Sequence, residues 1–75
     1  MKMNETENRL NELQEAFFAC IKKHPGCRRR DLPNWGVNRI LSIDALYLLI
    51  DSGKVRTVIH KDAANMEFYD KLYAN

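Results

Sequence analysis

The sequence predicts an α+β domain of three helices followed by a two-stranded β-hairpin. Two observations predict it. From Leu10 to His24 the apolar residues recur at steps of three and four, the period of a helix, and a second apolar run between Asn38 and Gly53 is bounded as a helix is. After Gly53 the period drops to two and β-branched residues crowd in, as in a strand.

Each element has its own signals. Residues 1–7, MKMNETE, are polar and charged and are expected to be a flexible N-terminus, leaving a single domain over 8–75. From Asn8 a first helix places Leu10, Leu13, Phe17, Cys20, Ile21 and His24 on one face, with Ala16 beside them. Glu12 and Glu15 lie early and Lys22 and Lys23 late, as the helix dipole favours. Pro25-Gly26 stops it. In CRRRDLPNWGVN, Pro33 biases Leu32 toward extended backbone, so a helix over Arg28–Leu32 is short. Alternatively, Pro33 sits in the first turn of a helix running through Trp35. Both readings stand on the sequence. Gly36 marks a turn, Asn38 an N-cap, Arg39 to Ser52 the third helix and Gly53 its left-handed terminator. KVRTVIH then alternates Val55, Thr57 and Ile59 against Arg56, Val58 and His60. KDAAN is turn-like, and MEFYDKLY sets Met66, Phe68, Asp70 and Leu72 opposite Glu67, Tyr69, Lys71 and Tyr73, completing a hairpin.

The chain has 75 residues, 45% hydrophobic and 29% charged, which argues against disorder. A chain this short buries only about 60% of its unfolded surface, so a second chain would add stability. Its net charge of +2 predicts no partner by itself. No apolar signal segment opens the sequence, and no run approaches the roughly 18 apolar residues of a membrane span. A cytoplasmic location with reduced thiols is therefore expected, without membrane attachment. Cys20, His24 and Cys27 are one ligand short of a structural zinc site, and the remaining His60 is distant in sequence. Cys20 also fits the apolar stripe as an ordinary small core residue. No phosphate loop, supported carboxylate pair or Ser–His arrangement is present. No metal, cofactor or enzymatic activity is expected. Trp35 reads either as a core anchor behind the turn, the reading favoured because Trp is highly buried on average, or as a surface aromatic.

HPGCRRRDLPNWGVNRILSIDALYLLIDSGKV, residues 24–55, resembles a winged helix-turn-helix domain of the kind found in small phage, plasmid and bacterial regulators. The resemblance rests on the helix ending near Pro25-Gly26, an inward Leu32, the turn at Gly36, and Leu49, Gly53 and Val55 closing the third helix before the wing. It spans roughly residues 10–73. Pro33, inside the second helix, and the tight spacing from Leu32 to Gly36 depart from the pattern. The resemblance implies a wing over residues 55–72 and contact with double-stranded DNA.

On that reading Arg28, Arg29 and Arg30 offer planar forks of donors to phosphates. Asn38 and Arg39 lie at the end of the third helix that touches bases. Lys54, Arg56, His60 and Lys61 supply the wing. The bland reading of these charges is a solvated surface. The third helix itself is unusual: between Arg39 and Lys54 it has no basic residue. With Leu46 at the centre of its buried face, Ser42, Ile43, Leu49 and Ile50 join it, and Ile40, Leu41, Asp44, Leu48 and Asp51 face outward. Such a helix calls for cover on both sides. Phe17 and Phe18 point about 100° apart on the first helix, so one of them leaves the core. Phe18, Ile40, Leu41, Tyr47 and Leu48 are therefore expected to meet a second copy or another protein. The rival function is a protein-interaction module of the same fold, in which the basic residues only solubilise.

Overall fold

A computed structural model describes residues 5–75. Its elements are α1 (Glu5–Lys23), a 3-10 turn (Arg29–Asp31), α2 (Arg39–Asp51), β1 (Val55–Asp62) and β2 (Glu67–Ala74). The architecture is α+β: two helices and a 3-10 turn, then an antiparallel hairpin. The expected flexible terminus falls outside the described residues for 1–4, while 5–7 already belong to α1, where Glu5 and Glu7 complement the helix N-terminus.

The second of the three expected helices is only the 3-10 turn. Leu32 caps it at φ −71°, ψ 144°, the extended backbone imposed by Pro33. Residues 33–38 form turns, so no helix runs through Trp35. Leu32 still points inward and is 3% exposed. The expected third helix is α2. Asn38 caps it by accepting the Leu41 N–H at 3.1 Å. At its other end Gly53 takes φ 80°, and the Lys54 N–H returns to the Leu49 carbonyl.

The core is one cluster of Phe17, Ile21, Leu32, Ala45, Leu46, Leu49, Val55 and Leu72. Trp35 packs against it, its ring 6.0 Å from that of Phe17. Phe17 is fully buried and Phe18 lies at the margin, so the two divide as their 100° separation requires. His24 does not belong to the stripe: α1 ends at Lys23 and His24 is exposed.

β1 and β2 pair from Val55↔Ala74 to Asp62↔Glu67. Four residues connect them, with Asp62 accepting the Ala64 N–H and the Asn65 amide. One face of the hairpin root, Val55 and Leu72, closes the core. Beyond the root the strand residues 56–61 are all exposed. β2 gains a further neighbour that sequence reading missed. Cys27 bridges Leu72, with the Leu72 N–H donating to the Cys27 carbonyl and the Gly26 N–H donating to the Leu72 carbonyl, each at 2.8 Å. This stitch ties the segment after α1 to the hairpin and places the arginine run beside β2.

Candidate nucleic-acid interface

The arginine run leaves the Cys27 bridge and enters the 3-10 turn, so its side chains fan along the outer edge of β2. Arg28, Arg29 and Arg30 line one groove of about 410 Å³ with Trp35, Glu67, Tyr69 and Asp70. The three guanidiniums differ in what holds them. The Arg28 guanidinium carbon lies over the Tyr69 ring, 3.5 Å from its centre, a cation–π contact. Arg29 is locked to Asp70 at 2.7 Å, and its Nε is buried without a partner among the described residues. Arg30 is exposed and makes no ion pair with a described residue. Three arginines against Glu67 and Asp70 leave the groove with a formal charge of +1.

The hairpin continues this surface. Directly paired residues share a face, so Arg56 and Tyr73, Val58 and Lys71, and His60 and Tyr69 stand together, opposite the face that carries Val55 and Leu72. Arg56 sits 4.8 Å over Tyr73, and the His60 ring is 5.0 Å from that of Tyr69. Lys71 adds a cation that sequence reading did not single out; the signal was its alternation with Tyr69 and Tyr73. Arg28, Arg56, His60 and Lys71 thus share one aromatic-backed face.

The other expected contacts are placed apart. Lys61 is on the opposite face, 5.8 Å over Phe68. Lys54 precedes β1 at the root. Asn38 and Arg39 stand at the far end of α2 from Lys54, about 20 Å away at 1.5 Å per residue. Asn38 already spends its side-chain oxygen on the Leu41 N–H.

The outward side of α2 has a different character. Ile40 is 76% exposed, and Tyr47 and Leu48 are also exposed, with Val37 just before the helix at 84%. Asp44 and Asp51 lie among them. Leu41, expected to face outward, is half-buried. It lines a groove of about 520 Å³ between α1 and the start of α2, with Leu13, Ala16 and Ser42. The buried face is Ser42, Ala45, Leu46 and Leu49, with Ile43 and Ile50 on its flank.

Cys20 and Cys27 are both free and line a shared hollow with His24 and Asp31. Burial, then the neighbouring Cys20 and Asp31, push the Cys27 thiol above its ordinary value. Among the described residues no three His, Cys, Asp or Glu side chains are grouped to hold a metal ion. No helix among them is long and apolar enough to cross a membrane. No family model, no curated protein and no solved structure matches this chain.

Proposed function

We propose that the chain is a winged-helix domain that binds double-stranded DNA through phosphate contacts, as a regulator or accessory factor, and carries out no chemistry of its own. The observation that carries this reading is the convergence of Arg28, Arg29 and Arg30 on one groove with Trp35 and Tyr69. Planar cations backed by aromatic rings are held out from the protein at low entropic cost, and a phosphate can accept from their free edges. Arg56, His60 and Lys71 extend the same positive face along the hairpin. Contact of this kind positions a protein on a duplex; beyond Arg39 at its start the outer side of α2 has none of the Arg, Lys, Asn or Gln side chains that usually read base edges, so binding is weakly selective in sequence.

The test is duplex binding by fluorescence anisotropy over a salt series. Affinity should fall steeply with salt, and Arg30→Ala should lower the log–log slope by about 1 without destabilising the fold. No binding at low salt rejects the proposal.

A second reading is favoured by one observation, the exposed row Val37, Ile40, Tyr47 and Leu48. In that reading α2 docks a partner helix whose apolar stripe is flanked by Lys or Arg, to meet Asp44 and Asp51. Ile40→Glu would then abolish partner binding and leave duplex binding unchanged.

A further inference from the structure

The free edge of β1 carries an inference that depends neither on nucleic acid nor on α2. Among the described residues the sheet has two strands, and the Cys27 bridge takes the far side of β2, leaving the outer edge of β1 without a described strand beside it. Two-stranded sheets are marginal without further cover. Beyond the root the 3-10 turn covers part of β2 through Tyr69 and Asp70, but β1 is exposed throughout 56–61: Val58 and Ile59 are exposed on opposite faces, Ile59 at 71%, and Phe68 at 69% shares the face of Ile59.

The backbone hydrogen bonds fix which residues this edge offers. Leu72 directs both its N–H and its carbonyl toward Gly26 and Cys27. Its cross-strand neighbour Thr57 therefore forms a non-hydrogen-bonded pair with it and turns its own peptide groups to the free edge. By the two-residue period of a strand, Ile59 and Lys61 do the same, while Arg56, Val58, His60 and Asp62 bond to β2. The Asn75 N–H donating to the Lys54 carbonyl agrees with this parity.

We propose that two copies of this chain pair antiparallel along their β1 edges, centred on Ile59, to form a four-stranded sheet about a two-fold axis. The parity allows centres at several positions, and charge selects among them. Centred on Ile59, Thr57 faces Lys61 of the second copy in hydrogen-bonded pairs. Arg56 then stands directly opposite Asp62 of the second copy, at both ends of the pairing. Centring on Val58 sets Arg56 against His60, and centring on His60 sets Val58 against Asp62. Opposite charges directly across an antiparallel pair stabilise it, and mismatched ones do not. The Arg56 guanidinium lies 4.8 Å from the centre of the Tyr73 ring and carries five N–H donors with which to reach across. Asp62 keeps lone pairs beyond those used in its turn. On the other face the two Ile59 side chains meet, with a Phe68 diagonal to each, burying the apolar surface the isolated hairpin exposes. The two basic faces around Arg28, Arg56 and His60 become continuous across the joint.

The experiment is the mass of the full chain by sedimentation equilibrium, with folding checked by circular dichroism. The wild type should reach twice the monomer mass of 8.8 kDa. Ile59→Pro removes an N–H that points to the free edge, sparing the β1–β2 ladder, and should give a folded monomer. Arg56→Asp and Asp62→Arg place like charges across the joint and should each be monomeric alone; mixed in equal amounts they should recover the doubled mass. A wild type that stays monomeric overturns the proposal. So does a dimer that survives Ile59→Pro and both charge variants, and so does failure of the mixture to associate.

Discussion

The Arg29 guanidinium donates to the Asp70 carboxylate at 2.7 Å, joining the 3-10 turn to β2 across 41 positions of sequence. Both side chains are part-exposed, so solvent screens the pair. Asp70→Asn should cost about 1 kcal/mol in urea unfolding. The same change removes an acid from the arginine groove, and duplex affinity at low salt should rise. Weaker binding by a folded Asp70→Asn protein would argue that Asp70 holds Arg29 in its binding pose.

Gly26 sits at φ 85°, and a Cβ there would lie 3.2 Å from the Tyr73 Oη. Gly26→Ala therefore meets backbone strain and a ring that must give way. A loss of about 1–2 kcal/mol is expected by thermal or denaturant unfolding. Tyr73→Phe in the same background should return part of it, because the hydroxyl is the nearest atom. An additive double mutant would show the crowding to be unimportant.

Ser42 is 1% exposed and its hydroxyl has no hydrogen-bond partner among the described residues. Removing an unsatisfied buried polar group relieves a desolvation cost. Ser42→Ala should raise stability by about 1 kcal/mol, read as a higher urea midpoint at unchanged slope. A fall in stability would show that the hydroxyl fills space the methyl leaves empty.

The Cys27 thiol is held above its ordinary value of 9.0 by burial, Cys20 and Asp31. The folded chain keeps this proton to higher pH than the unfolded chain does. Its contribution to stability is complete below 9.0 and is lost as pH rises through the folded value. Between about pH 8 and pH 10 the wild type should therefore lose more stability than Cys27→Ser. Parallel pH profiles would remove Cys27 from the account.

The parts of this fold legible in the sequence are those that local chemistry decides. Asn38 caps α2 because its side chain reaches an N–H three residues on, and Gly53 ends it because a left-handed residue is needed there. Both can be read within a short window. Pro33 is equally visible, but its two allowed roles both leave Leu32 extended and part only after it, where Asn34 turns left-handed at φ 59° and no helix reaches Trp35. A face centred on Leu46 alone turns Leu41 outward, whereas the face that is buried also runs through Ala45 and brings Leu41 to its margin. The positions of the arginines were legible and their engagement was not. Arg28 over Tyr69 and Arg29 against Asp70 exist only because the Cys27 bridge sets the run beside β2, and one bridge between distant residues leaves no periodic trace.

The hairpin rooted at Val55 and Leu72 is, mechanically, a cantilever. Its clamp is the core at one end. Its free length is seven residue steps of β1, about 23 Å at 3.3 Å per step. Small rotations at the clamp are magnified along the beam, so a tilt of about 10° at Val55 sweeps the turn near Ala64 through roughly 4 Å. Arg56, one step from the clamp, keeps its position during such a swing, whereas His60 and its partner Tyr69, the ring under Arg28, travel with the beam. A long rigid surface laid along the hairpin is thus gripped at the root and followed at the tip.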